Sequence, residues 1–115
     1  VGLPIITGVD VCIHDGFVGF VDLNGVTKEF LFYMLKHLEP QFKSKGQEGS
    51  QNNINSDIVR NREISLPPPD EQRAIAEVLT DMDAEIEAWE KRRAKMEAVK
   101  TGMMQELLTG KTRLV

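Results

Sequence analysis

The most regular hydrophobic pattern in the chain runs from Asp70 to Leu108. Apolar residues recur there at alternating steps of four and three, provided that Arg93 and Lys100 are counted in the same register. The apolar members of this heptad pattern, hereafter the apolar row, are Ile75, Leu79, Met82, Ile86, Trp89, Met96, Met103 and Leu107. The spacing predicts one long helix over residues 70–109 that pairs with another helix as a coiled coil.

The flanking residues predict where the long helix begins and ends. Pro67–Pro69 form a linker before it, because a residue that precedes proline is held out of the helical conformation. Asp70 is a suitable N-cap, and Gly110 suits the left-handed position that follows a helix C-terminus. Such a helix spans roughly 60 Å at about 1.5 Å per residue. A small domain cannot cover that length, so we expect a partner helix from a second copy or from another chain.

Residues 1–66 predict a small domain that contains short strands. Val9–Ile13 and Phe17–Val21 are rich in β-branched and aromatic residues. They predict either a hairpin around the intervening Asp-Gly pair or one irregular strand. Arg62–Leu66 alternates apolar and polar residues and predicts a further strand.

A shorter amphipathic helix is predicted inside this domain. Thr27 suits its N-cap, and the broad apolar face continues to about Leu38. Pro40 marks its end or a kink. With the strands, the long helix and a C-terminal tail over residues 110–115, this order of elements predicts an α+β protein.

Composition and charge narrow the possible functions. The chain has 115 residues and a net charge of −4, so DNA binding would need a complex that supplies positive charge. The single cysteine, Cys12, excludes an internal disulfide. With no visible signal peptide and no apolar run long enough to span a membrane, we expect a cytoplasmic protein without a membrane partner.

The segment after the shorter helix is the best candidate for contact with DNA. It is predicted to be a loop over Lys43–Ser56, and its side chains suit a DNA groove because amides can pair with adenine and lysine can meet guanine or phosphate. These candidate residues are Lys43, Lys45, Gln47, Ser50, Gln51, Asn52 and Asn53. The same residue types are common turn formers, so composition alone favours an ordinary solvated loop.

Two other clusters favour structural interpretations. Cys12 and His14 share one face of a strand, but no further cluster offers the three or four ligands that a metal needs. We therefore expect a turn and a packed thiol there, with no metal and no catalytic residue. The basic run Lys91–Arg93 with Lys95 could bind phosphate, although a solvated helix face is the favoured interpretation.

Several motifs in this order resemble the specificity subunits of type I restriction-modification enzymes. Leu66–Ile75 resembles the proline–glutamate–glutamine junction of these subunits, and Ala84–Glu87 follows in the expected helical phase. Lys100–Leu114 is very similar to their C-terminal end. Phe30–Leu35 and Gly49–Ile54 resemble the second half of a target-recognition domain.

The resemblance implies the C-terminal part of a specificity subunit, which is a non-catalytic DNA-recognition and assembly module that carries no cofactor. Long helices in that family pair antiparallel, set the distance between the halves of a bipartite duplex DNA site and dock methyltransferase subunits. The restriction subunit joins in the full enzyme. This chain has one long helix and part of one recognition domain, so the expected isolated state is a homodimer through that helix.

Two alternatives to this interpretation remain open. The chain could be a coiled-coil dimerisation module whose small globular domain binds protein, or the recognition-domain fragment of a fused DNA methyltransferase.

The distribution of charge along the long helix indicates how this helix pairs. Its first half carries acidic residues, namely Glu77, Asp81, Asp83, Glu85, Glu87 and Glu90. Its second half carries basic residues, namely Lys91, Arg92, Arg93, Lys95 and Lys100. Only an antiparallel pair sets opposite charges side by side.

Overall fold

The computed structural model describes residues 3–13, 17–46 and 56–115, without the side chains of residues 43–46. Three helices lie within these ranges: α1 (Lys28–Gly46), α2 (Ser56–Arg60) and α3 (Pro69–Leu108). The chain divides into a first unit, Val1–Val78, and a second unit, Leu79–Val115. We call the part of α3 inside the first unit, residues 69–78, the root of α3.

The predicted α+β class is wrong for the residues that the structure describes, because none of them forms a strand. The segments 9–13, 17–21 and 62–66 are neither helical nor paired as strands. Residue composition favours extended backbone, but a strand also requires a neighbouring segment to accept and donate backbone hydrogen bonds. Most apolar side chains of these segments are exposed, namely Val9, Val11, Ile13, Phe17, Phe20, Val21 and Leu66.

Helix α1 begins as predicted and ends later than predicted. The carbonyl of Thr27 accepts the Leu31 N–H at 3.0 Å, which makes Thr27 the N-cap residue. The helix then continues through Pro40 to Gly46. Phe42, one turn beyond the buried Leu38, is only 4% exposed. Burial of a large apolar side chain contributes about 1.5–3 kcal/mol, comparable to the roughly 3 kcal/mol cost of an interior proline.

The core of the first unit is small and comes mainly from α1. Its buried apolar residues are Phe30, Leu31, Leu38, Phe42 and Ala76. The first four follow one face of α1, and the last belongs to the root of α3. Helix α1 contacts α2, and α1 and the root of α3 belong to the same compact unit.

The long helix has the predicted C-terminus and a different N-terminus. The carbonyl of Pro68 accepts the Gln72 N–H at 3.0 Å, so Pro68 rather than Asp70 is the N-cap residue. Pro69 occupies the first helical position, where its missing N–H costs nothing and its φ angle is already helical. Asp70 instead lies in the first turn and forms an ion pair with Arg73.

Gly110 ends the helix as predicted. It adopts a left-handed φ of 71°, and its N–H donates to the Leu107 carbonyl at 3.3 Å. Lys111 adds positive charge after the helix and pairs with Glu106 at 2.7 Å between Nζ and Oε1. The signals at this end are local in sequence, which is why the sequence alone was sufficient to locate them.

Candidate functional site

The apolar row forms an exposed stripe along α3. In the second unit, the side chains of Met82, Ile86, Trp89, Met96 and Met103 are each at least half exposed, with Trp89 at 63%. Leu79 and Leu107 are half-buried. A monomeric protein rarely exposes a contiguous apolar patch of this kind without using it for binding. The stripe is therefore a candidate surface for a partner.

The apolar stripe is narrow in the middle of α3 and broad near its C-terminus. Around Ile86 the flanking positions are charged, whereas near Met103 the flanking residues Val99 and Met104 are apolar and exposed. An open apolar groove follows there, lined by Met96, Val99, Lys100, Met103, Met104, Leu107 and Leu108. A narrow apolar stripe suits contact with one partner helix, and a broad one suits contact with partners along both of its edges.

Several of the charged residues near the stripe are paired within α3 itself. Lys91 Nζ lies 2.6 Å from Glu87 Oε1, and Arg93 Nε lies 3.0 Å from Glu97 Oε1. The Arg92 guanidinium lies 5.5 Å from the ring centroid of Trp89. The hydrogen bond with Lys91, reinforced by charge attraction, lowers the pKa of Glu87 and raises the pKa of Lys91. These contacts favour a solvated helix face for the basic run.

A second feature lies at the root of α3, where Gln72 is completely buried. The Thr27 N–H donates to Gln72 Oε1 at 2.8 Å. Gln72 Nε2 donates to the carbonyls of Gly25 and Pro67, each at 2.9 Å. We call this arrangement the Gln72 junction. It joins the start of α1, the turn before it and the segment that leads into α3.

Sequence reasoning did not identify the Gln72 junction. A buried polar residue carries no hydrophobic signal, and its partners Gly25 and Thr27 lie more than forty positions away in sequence. The available signal was the motif Leu66–Ile75, which contains Gln72 and resembles the specificity-subunit junction. That motif indicated a family, and the structure gives its glutamine a physical role.

The structure describes only part of the predicted DNA-contacting segment. Lys43 and Lys45 belong to the last turn of α1 rather than to a loop, so the predicted start of that loop is wrong. The reason is that α1 passes through Pro40. The other candidates lie outside the described residues, namely Gln47, Ser50, Gln51, Asn52 and Asn53. Their contact with DNA stays a prediction.

The remaining candidate cluster does not contain a packed thiol. Cys12 is exposed, which contradicts the expectation that it packs in a core, because the expected strand around it is absent. His14 and Asp15 lie outside the described residues. Among the residues that are described, no group of three or more histidine, cysteine or acidic side chains is arranged to hold a metal ion. In the same ranges, none of the helices has the length and apolarity to cross a bilayer.

Comparison with known proteins identifies the family. A family model described as the type I restriction modification DNA specificity domain matches residues 1–98. The chain therefore belongs to this family, which confirms the resemblance seen in its motifs. No solved structure matches the chain.

Two specificity subunits from Methanocaldococcus jannaschii are among its relatives. The putative type I restriction enzyme MjaX specificity subunit is 33% identical over 105 residues, which cover 90% of this chain and 25% of the relative. The type I restriction enzyme MjaVIII specificity subunit is 36% identical over 80 residues, which cover 70% of this chain and 19% of the relative. The chain thus spans a quarter or less of each relative's length.

Proposed function

We propose that this chain is a non-catalytic DNA-recognition and assembly module of a cytoplasmic type I restriction-modification system. The single observation that carries the proposal is the exposed apolar row of α3 in a chain that belongs to the specificity-domain family. The row offers a surface for assembly, and the first unit carries the segment predicted to face DNA. Methylation and cleavage are assigned to the other subunits.

The apolar row supports pairing of α3 with a second copy. Met82, Ile86 and Trp89 are exposed along one stripe, and a coiled-coil partner would cover them. The acidic first half and basic second half of α3 favour an antiparallel arrangement. Each exposed ion pair contributes only about 0–1 kcal/mol, but all of them favour the same orientation. We therefore propose an antiparallel homodimer for the isolated chain.

The broad C-terminal part of the stripe supports a further contact. Val99 and Met104 widen the apolar face beyond what one partner helix would cover. We propose that methyltransferase subunits dock here, along the apolar edges that the second copy leaves open. The restriction subunit then joins the assembled enzyme.

The proposed DNA contact uses the segment Lys43–Asn53 together with positive charge from the partner subunits. The test removes Lys43 and Lys45 together by substitution with alanine in the complex with methyltransferase subunits. Binding to sheared duplex DNA should weaken, and the slope of log affinity against log salt should fall by up to about two, at about 0.9 per phosphate contact.

A matched control removes the same charge elsewhere. Lys28→Ala with Lys111→Ala deletes two lysines that are engaged with neighbouring carboxylates. This control should keep the wild-type salt slope. If the Lys43 and Lys45 variant also keeps affinity and slope, the assignment of this segment to DNA is wrong.

A further inference from the structure

Neighbouring backbone groups satisfy almost all of the hydrogen-bonding capacity of the Gln72 side-chain amide. Both hydrogens of Nε2 are donated, to the carbonyls of Gly25 and Pro67, and Oε1 accepts the Thr27 N–H. The side chain is 0% exposed, so water cannot replace any of these bonds. A buried polar group that loses its hydrogen-bond partner destabilises the folded state. The three bonds therefore specify one side-chain orientation with little tolerance.

The chemistry of this junction specifies glutamine. One side of the amide faces a donor and the other side faces two acceptors, and a primary amide presents this asymmetric pattern. Asparagine is one methylene shorter and would not reach the same three groups. A carboxylate would direct oxygen at the two carbonyls, and an apolar side chain would satisfy none of the three.

The junction, and not the threonine hydroxyl, holds the start of α1. Thr27 is the N-cap residue, but its buried Oγ1 finds no hydrogen-bond partner among the described residues. Its backbone N–H is instead held by Gln72. Gly25, whose carbonyl is the second partner, has a left-handed φ of 76° that a residue with a side chain would adopt only with strain. The turn, the helix start and the root of α3 are thus fixed together.

We propose that Gln72 is a positioning residue for DNA recognition. It ties the start of α1, the helix that contains Lys43 and Lys45, to the root of α3 within the first unit. The inference rests on the proposed function, because it assumes that this segment contacts DNA. Loosening the junction leaves the apolar row untouched but lets α1, with Lys43 and Lys45, shift relative to the root of α3, so that DNA half-sites at more than one separation can be bound.

The first experiment tests the junction without DNA. In the full chain, Gln72→Glu keeps side-chain shape, but its buried carboxylate faces two carbonyls. Desolvation and these carbonyls raise its folded-state pKa above the unfolded value of about 4.3. The stability of this variant is therefore lost as pH rises through the folded-state pKa and is recovered below about pH 4.3. Gln72→Met, which cannot titrate, should differ from wild type by a constant amount.

Thermal melting between pH 4 and 8 makes this comparison. We expect the gap in melting temperature between Gln72→Glu and wild type to widen as pH rises, while the gap for Gln72→Met stays constant. A Gln72→Glu gap that does not change with pH would show that the amide donors do not matter, and would overturn the inference.

The second experiment tests positioning with DNA. Complexes with methyltransferase subunits select binders from a pool of duplexes with a randomised central region, and the bound pool is sequenced. Wild type should select a bipartite site with one spacer length. Gln72→Met should accept a wider range of spacer lengths while its α3 helices remain paired. Simple destabilisation would lower binding at every spacer equally, so the distribution separates the two roles.

A matched control separates positioning from stability in the selection. Leu38→Ala removes a buried side chain of α1 outside the junction and should lower the bound amount without broadening the spacers. Equal spacer distributions for Gln72→Met and wild type would overturn the inference alone. A wild-type complex that selects no bipartite site would overturn the proposed function and the positioning role together, whatever the pH experiment gives.

Discussion

The root of α3 and the rest of the same helix differ in the burial of their side chains. The root buries Gln72 and Ala76, one helical turn apart, inside the first unit. Beyond it, Met82 and Trp89 are exposed. Gln72 lies three positions before Ile75 and so continues the heptad spacing of the row, yet it is buried whereas Ile75 is 36% exposed. Contacts among the residues that the structure describes therefore leave most of the row exposed.

The comparison also distinguishes two kinds of interaction. Directional hydrogen bonds to backbone groups hold the root, so its geometry depends on one amide. The remainder of α3 presents apolar area, which binds without strict directionality. A single helix thus combines a precise internal attachment with an exposed apolar surface.

The largest expected effect comes from removing the apolar row at its centre. Ile86→Ala with Trp89→Ala truncates two large side chains, and each truncation in a packed interface costs about 2–5 kcal/mol. We expect the chain to become monomeric in sedimentation and to melt at a lower temperature. Asp81→Ala with Lys95→Ala, which leaves net charge and the row unchanged, is the control. An unchanged oligomer in the first variant would disprove pairing through the row.

The next prediction sharpens the orientation of that pairing. In a Cys12→Ser background, Met82→Cys places a thiol in the row. A parallel pair would bring the two copies of position 82 face to face, within the 3.5–4.5 Å between Cβ atoms that a disulfide requires. We expect no such cross-link under mild oxidation, because an antiparallel pair sets the two positions far apart. Efficient disulfide formation, seen on a non-reducing gel, would indicate a parallel pair.

A smaller effect is expected at the junction beside the root. Thr27→Val removes a buried hydroxyl that has no hydrogen-bond partner within the described part of the chain, and keeps the side-chain shape. Because loss of an unsatisfied polar group is not destabilising, the free energy of unfolding should stay the same or rise by up to about 1 kcal/mol. Chemical denaturation measures this change. A clear loss of stability would mean that the hydroxyl caps α1.

The smallest effect is expected on the exposed side of α3. Lys91→Gln removes the hydrogen bond and the charge that lower the pKa of Glu87. The pKa of Glu87 should then return upward in an NMR titration of its carboxyl carbon. In wild type, the contact acts above the unfolded-state pKa of Glu87 and is lost as pH falls through the folded-state value. Because both groups are fully exposed, the melting temperature should not change measurably.

The sequence predicted those parts of the fold that depend on neighbours along the chain. The heptad spacing predicted α3, and Gly110 predicted its end, because both signals act within a few turns of one helix. The strands were predicted wrongly because strand formation depends on a distant pairing partner. The continuation of α1 past Pro40 depended on burial of Phe42, which is a tertiary effect.

The two candidate sites differ in the same way, because one follows from local spacing and the other depends on residues that are distant in sequence. The apolar row could be identified from spacing alone, and most of its residues are exposed, while its pairing with another helix stays a prediction. Gln72 could not be identified from spacing, because its partners Thr27 and Gly25 are distant in sequence. Family resemblance singled out the motif, but the positions of three backbone groups explain why the motif contains a glutamine.

The proposed pairing through the exposed row should be sensitive to cold. Burial of apolar surface is driven mainly by entropy near 25 °C and weakens on cooling, with a negative heat-capacity change of association. The proposed pairing of α3 should therefore loosen toward 0 °C, whereas the hydrogen bonds of Gln72 do not depend on that driving force. Chilled samples would then contain more single chains whose first units are still folded, and warming would restore the pair.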